Sequence, residues 1–341
     1  MSTELDYSQI LQVGLGFWPA RTLLSAVELE LFTLLGKGSM TGKEIGAVLG
    51  LHPRGISDFL DGLVAMGFLD REGNGSDGKY LNTRQAATFL DKNNPEYIGG
   101  ILEMASTRLY RFWGNLTEAL RTGQPQSEIK YNEKNIFEVL YQDQFKLEEF
   151  MKAMTGLSKR NFESFAEKFD FSKYQILCDV GGATGLLSIL VAKLNPHVRC
   201  VNYDLPAVEP IAKKAIQASG FSDRISTASG DFFRDPLPKA DVITMGMILH
   251  DWNLKNKKWL IKAAYDALPE GGALVAIENI IDDARRENLF GLMMSLNMLI
   301  EFGDAFDFTG ADFTEWCEGI GFKKTEVLPL GGPASAAIAY K

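Results

Sequence analysis

The stretch Cys178-Asp179-Val180-Gly181-Gly182-Ala183-Thr184-Gly185 decides the fold of this chain. A strand ends on an acid, the backbone turns through glycines, and a helix starts at once. That helix, Leu186 to Leu194, carries Leu187, Leu190, Val191 and Leu194 on one face. Such a turn brings bare backbone and a helix N-terminus together, where unpaired N–H groups favour anionic or polar ligand atoms. The dinucleotide fingerprint G-x-G-x-x-G is not met, because Ala183 stands at its third position. Taken alone, the motif also reads as a tight turn that holds nothing.

Downstream segments repeat the pattern. A strand from Val198 to Tyr203 ends in Asp204 before Leu205-Pro206, where a doubly wound fold places the carboxylate that grips ribose hydroxyls. A helix N-cap before Pro206 is the other reading of Asp204. Ile225 to Ala228 reads as a third strand, followed by Gly230-Asp231-Phe232-Phe233. There an acid able to accept from an adenine amino group adjoins a ring able to pack on the base, although a turn Asp beside a core Phe gives the same letters. The apolar run Asp241 to Leu249 suits a parallel strand covered on both faces and leads into His250-Asp251-Trp252. Ala273 to Ile281 reads as the next strand, interrupted by Glu278 and Asn279 near its carboxyl end. Ligands in open α/β sheets bind at that edge, so His250 and Glu278 emerge on the functional rim. Thr325 to Leu328 and Ser335 to Tyr340 read as a terminal hairpin through Gly331-Gly332-Pro333.

Seven stretches together carry a family resemblance: FMKAM (Phe150 to Met154), CDVGGATG (Cys178 to Gly185), YDLP (Tyr203 to Pro206), GDFFRDPLP (Gly230 to Pro238), ILHDW (Ile248 to Trp252), IENII (Ile277 to Ile281) and MSLNMLIE (Met294 to Glu301). In this order they resemble the cation-independent small-molecule O-methyltransferases, the group of the caffeate-type and acetylserotonin (hydroxyindole) enzymes. The likeness runs from about residue 10 to the C-terminus. It implies an α/β Rossmann-like class I methyltransferase domain at 170–341, with a mostly parallel sheet and an antiparallel terminal hairpin. Before it the resemblance implies an α-rich winged-helix dimerisation domain at 1–95 and a helical connector at 96–169 that lines the substrate site. The implied cofactor is S-adenosylmethionine, leaving as S-adenosylhomocysteine, without a metal. Asp179, Gly181, Gly182, Asp204, Leu205, Gly230, Asp231, Phe232 and Trp252 would hold it. Asp251, Asn297, Met154, Met247, Met294 and Trp113 would face a small aromatic hydroxyl substrate, although a methionine stripe is equally plain core.

In the resembled enzymes a histidine is the general base and two acids orient it. By motif these are His250, Glu278 and Asp307. His52 and His197, the remaining histidines, read as surface turn residues. The sequence departs from the pattern at two places. Relatives carry Glu-Arg-Thr where this chain has Asp307-Phe308-Thr309, so Asp307 also reads as a helix-start turn residue. Gly246 and Met247 stand where relatives carry Lys or Arg, so the pocket beside His250 is expected to be more apolar.

Composition agrees with this reading. At 341 residues the chain suits two domains, and its 46% hydrophobic content is ample for buried cores. A net charge of −9 disfavours nucleic acid and anionic membranes. No run of about 18 uninterrupted apolar residues implies a membrane span. MSTELDYSQI lacks a signal-peptide core, and three scattered cysteines fit reduced thiols, so a cytoplasmic location is expected. Thr41 with Glu44 reads as a capping box, Pro53 opens a helix, and Asn74-Gly75 marks a wing, a pattern shared with DNA binders. Arg54 faces Asp58 and Asp61 there, so phosphate attraction is missing and a homodimerisation module is favoured.

No metal-ligand spacing is visible. Without a Lewis acid, an imidazole of pKa about 6.5 can deprotonate a phenol of pKa about 10 in concert with transfer, but hardly an aliphatic alcohol. Methylation at carbon or nitrogen, or another reaction on a methyltransferase fold, stays open at this point.

Overall fold

The computed structural model describes residues 5–132, 141 and 143–341. Part of the expected connector, 133–140, lies outside the described residues, as do the side chains of Lys152 and Ala153 within FMKAM. The chain divides into two compact units, Met1–Arg111 and Phe112–Lys341.

In the first unit β1 (Met40–Thr41), β2 (Leu69–Glu72) and β3 (Lys79–Asn82) form an antiparallel sheet of order β1-β3-β2. The capping box forms as expected: Thr41 Oγ1 accepts from Glu44 N, and Glu44 Oε2 accepts from Thr41 N at 2.8 Å. His52 caps the helix Pro53–Ala65 by accepting from Arg54 N. The apolar stretch from Leu23 to Leu35 is divided between two helices, Phe17–Glu28 and Leu31–Leu35. Glu30 at φ 55 breaks it, turning Leu31, Phe32 and Leu35 into the same core as Ala26 and Val27. Ser8–Glu28 is long and apolar enough by length and composition to cross a membrane, which the sequence reading did not expect. A turn at Leu15-Gly16 divides it, and its second half packs Leu24, Ala26 and Val27 inward.

The second unit holds a seven-stranded sheet: β4 (Ile176–Val180), β5 (Arg199–Asp204), β6 (Ile225–Ser229), β7 (Val242–Gly246), β8 (Ala273–Glu278), β9 (Lys324–Gly331) and β10 (Ala334–Tyr340). Their order is β6-β5-β4-β7-β8-β10-β9. The first five run parallel, and β10 pairs antiparallel with both β8 and β9. Alternating side chains feed two cores. Cys178, Val180, Ile243, Met245, Leu274 and Ala276 face one, with Leu260, Ile261 and Trp316 from covering helices. Leu177, Val242, Val275 and Ile277 face the other, with Phe165, Leu187 and Val191. Each fully buried aliphatic side chain of this kind contributes about 1.5–3 kcal/mol.

Two central strands stop earlier than their apolar runs suggest. β7 ends at Gly246 because Met247 takes φ 56, after which Leu249–Asp251 forms a single 3-10 turn. β8 ends at Glu278, and Asn279 leaves the ladder. Both ends lie at the carboxyl edge, so the backbone irregularities sit where the polar residues emerge.

Candidate active site

The glycine turn is built by cross-bracing. Gly181 at φ 70 and Gly185 at φ 80 take conformations that side chains resist. A Cβ on Gly181 would also sit 2.3 Å from Ile248 Cδ1, so the space beside the strand end stays open only for glycine. Ala183 holds φ 46 because its N–H is captured by Asp204 Oδ2 at 2.9 Å. Asp204 Oδ1 accepts from Leu205 N at 2.7 Å. Each oxygen thus keeps a lone pair for a ribose hydroxyl. Asp204 is therefore a brace of the turn rather than a helix cap. Burial pushes its pKa up to about 6, against the pull of the two N–H donors. Asp179, buried beneath the turn, accepts from Thr244 Oγ1 at 2.8 Å, and burial raises it to about 7.

Beyond β6, Gly230 donates to Asp204 O. Asp231 accepts from Phe233 N at 2.9 Å and pairs with Arg234 Nε at 3.3 Å, so it orders its own turn. Phe232, Phe233 and Trp252 form an edge-to-face aromatic cluster, with Phe233 and Trp252 centroids 4.6 Å apart. Bare backbone, a carboxylate with spare lone pairs and half-buried aromatic surface follow one another along the rim. These features suit the methionine, ribose and adenine parts of S-adenosylmethionine in turn.

His250 sits in the 3-10 turn after β7 and is 5% exposed. Its Nε2 lies 3.3 Å from Asp251 Oδ1, and its Nδ1 lies 3.6 Å from Asp307 Oδ1. Asp307 is buried and is no helix start: Thr309 caps the helix Gly310–Ile320, with Asp312 closing the capping box. Glu278, expected to orient the ring, grips the backbone that carries it. Its Oε1 accepts from the backbone N–H of Ile248 at 3.1 Å, Leu249 at 2.9 Å and His250 at 3.4 Å, tying down the start of the histidine turn. Nδ1 of His250, Oε2 of Glu278 and both Asp307 oxygens are buried without a hydrogen-bond partner. Four such atoms from three residues gather here, whereas those of Asn82, Tyr174 and Ser188 stand singly.

Electrostatics follow from this crowding. Burial alone would lower the His250 pKa, but Asp251, Glu278 and Asp307 outweigh it and raise the pKa. Burial lifts Asp251 to about 6 and Glu278 to about 7, each held back by His250. One ligand atom each from His250, Glu278 and Asp307 falls within 4.8 Å of the others, a donor set that could hold a metal ion. Linear spacing gave no hint of this set, because its members come from three separate elements.

The expected substrate residues divide. Trp113 Nε1 donates to Asn297 Oδ1 at 2.9 Å, joining two of them. Met247 is held in its left-handed conformation beside Asn279, whose Nδ2 lies 3.9 Å from the Met247 sulfur. Met154 and Met294 are half-buried, with nothing that distinguishes pocket from core. Gly246 is required by packing, since a Cβ there would lie 2.8 Å from the Phe162 ring. His52 and His197 are exposed, as expected.

Four residues were missed. Tyr141, packed with Ala183 and Leu205, has its hydroxyl pKa pushed up by burial and by Asp204 and Asp251. Thr155 and Thr184 hydroxyls meet at 3.1 Å across the glycine turn. Lys257, wholly buried, lies below the histidine turn. Only the last carried a sequence signal, as a lysine on the buried face of an amphipathic helix.

An O-methyltransferase domain matches residues 113–323 and an O-methyltransferase dimerisation domain matches residues 11–92. The chain belongs to the O-methyltransferase family. It is 38% identical to the tetracenomycin polyketide synthesis 8-O-methyl transferase TcmO of Streptomyces glaucescens, over 97% of this chain and 96% of that protein. It is 32% identical to the N,N-dimethyltransferase OxyT of Streptomyces rimosus, over 92% of this chain and 90% of the relative. Among solved structures, human N-acetylserotonin methyltransferase in complex with SAM superposes with a TM-score of 0.90 at 28% identity, covering 100% of this chain and 99% of the human one. The protein is thus an S-adenosylmethionine-dependent O-methyltransferase with an N-terminal dimerisation domain.

Proposed function

We propose that this methyltransferase works as a homodimer and methylates a phenolic hydroxyl of a small planar aromatic or polyketide-type acceptor, with His250 as general base. The observation that carries this reading is the place of His250 on the rim, its Nδ1 side closed by buried Asp307 and its Nε2 side toward Asp251, whose side chain is 16% exposed. Nε2 is therefore the nitrogen that would meet the acceptor hydroxyl, and Asp307 would steady the imidazolium once the proton arrives. Glu278 would fix the approach by holding the turn, and Trp113 with Asn297 would set the plane of the acceptor. Gly181, Asp204, Asp231, Phe232 and Trp252 would bind the cofactor, which supplies a methyl group on positively charged sulfur. Charge arriving beside His250 favours loss of its proton, which readies it as a base. Likeness to an 8-O-methyltransferase of polyketide synthesis supports the acceptor class. Apolar side chains exposed on the first unit, among them Ile10, Val13, Phe17 and Trp18, support pairing of two copies.

Likeness to an N,N-dimethyltransferase supports a second reading, in which the acceptor atom is an amine nitrogen. His250→Ala separates the two when assayed on a panel of hydroxylated naphthalenes and anthraquinones and on their amino analogues. Phenol methylation is expected to fall by ~100- to 10,000-fold with S-adenosylmethionine affinity unchanged. Turnover that survives the substitution, or methyl found on nitrogen alone, would remove the base from the mechanism.

A further inference from the structure

Asn279 is 5% exposed, yet its side-chain amide forms no hydrogen bond to oxygen or nitrogen among the described residues. Its partner is the Met247 sulfur, 3.9 Å from Nδ2. A thioether is a weak acceptor, whereas an amide offers two N–H donors and an oxygen with two lone pairs. Most of that capacity is unspent, which is costly in a buried place unless a ligand uses it. Its Oδ1, unlike Oε2 of neighbouring Glu278, is not sealed from solvent.

Three elements of the second unit place this amide. It follows the last residue of β8, so it stands at the carboxyl edge next to the acid that grips the histidine turn. Met247, left-handed at φ 56, follows β7 and donates its N–H to Ile277 O at 3.0 Å, which brings its side chain beside Asn279. The helix Leu289–Phe302 approaches through Gly291, where a Cβ would lie 2.4 Å from the Asn279 carbonyl oxygen. That helix also carries Asn297, bonded to Trp113, and packs against the histidine turn. Gly246 and Met247 bring no cation to this corner. A carboxylate would lose its water there without a positive partner from them, whereas a neutral carbonyl oxygen needs only an N–H.

We propose that Asn279 is an acceptor-binding residue whose Nδ2 donates to a neutral carbonyl oxygen on the acceptor ring system, with the Met247 thioether lying against the ring. The site then prefers phenols that carry a ring ketone to plain phenols and to aromatic carboxylates. This rests on the reading of a planar aromatic acceptor, but not on the assignment of the base, and its test does not require turnover.

The test is a calorimetric titration of the S-adenosylhomocysteine-loaded protein with a hydroxyanthraquinone, the matching hydroxyanthracene and a hydroxyanthracene carboxylate. The wild type is expected to bind the quinone about tenfold more tightly than either of the others. Asn279→Leu keeps the volume, and Asn279→Asp keeps the shape without the donor. Each is expected to weaken the quinone by about tenfold and to leave the hydroxyanthracene unchanged. An amide with only a structural role would move both ligands alike, and that result would overturn the proposal. So would a wild type that binds the quinone no more tightly than the hydroxyanthracene, or binds neither. Should neither variant fold, the side-chain amide ¹⁵N resonance of Asn279 in the wild type decides it. A shift with the quinone and none with the hydroxyanthracene is required, and an equal response to both refutes it. Methyl transfer is not read, so a protein that binds the quinone yet methylates only nitrogen keeps this inference and loses the phenol reading.

Discussion

Asp204 and Ala183 are joined by a 2.9 Å hydrogen bond from the Ala183 N–H to Oδ2, so the acid that ends β5 fixes the strained residue of the glycine turn after β4. In the proposed function, cofactor contact and turn geometry are one device. Asp204→Asn keeps the shape but weakens two charge-assisted bonds, to Ala183 and to Leu205. Calorimetry with S-adenosylhomocysteine is expected to show affinity lower by about 10- to 100-fold, on the order of 1.5–3 kcal/mol. Unchanged affinity would mean that the acid serves the turn alone.

The buried carboxylates tie cofactor binding to pH. Asp204 and Asp251 at about 6, and Glu278 at about 7, all lie above their usual values, so the free native protein holds protons there that the unfolded chain has released. The stability these groups contribute is complete below about pH 4 and is lost as pH rises through 6 to 7. A sulfonium cation favours the ionised carboxylates and the neutral imidazole, so S-adenosylmethionine should bind more tightly from pH 5 to pH 8 and release protons. S-adenosylhomocysteine, with neutral sulfur, should show a much flatter profile. Titration calorimetry in buffers of different ionisation enthalpy reads both quantities, and equal proton release by the two ligands would contradict the arrangement.

Glu278 separates charge from hydrogen bonding. Glu278→Gln retains an oxygen for the N–H groups of Ile248, Leu249 and His250, so the fold should survive with slowed turnover. Glu278→Ala strands those donors in a buried site and is expected to cost about 1–3 kcal/mol of stability in a denaturant melt. If Gln proves as unstable as Ala, the backbone contacts are not what the residue provides.

Gly246 predicts a packing effect. Gly246→Ala would drive a Cβ to within 2.8 Å of the Phe162 ring and should destabilise by about 1–3 kcal/mol. Adding Phe162→Leu should recover part of that loss. Additive losses in the double variant would show that the ring is not the obstacle.

The donor set of His250, Glu278 and Asp307 invites a metal test. Oε1 of Glu278 is already committed to backbone N–H groups, which leaves Oε2. Dialysis against a chelator should leave methyl transfer unchanged. Activity lost on chelation and regained with one divalent ion would make the cluster a metal centre.

The sequence by itself determined the architecture. Gly181 and Gly185 announce a turn that only glycine tolerates, apolar residues one position out of phase fill the two faces of the sheet, and Asp204 ends, while His250 follows, strands whose carboxyl ends must share one edge. These are local signals, written in period and in backbone permission. What Glu278 grips, where Asp307 points, why Gly246 has no side chain and where the buried Lys257 lies were settled only by tertiary structure. Each depends on the register of β7 against β8 and on where strand ends depart from their apolar runs. A pairing of residues from separate elements leaves no spacing in the chain, because it is through-space distance, not sequence interval, that sets a hydrogen bond or a charge interaction.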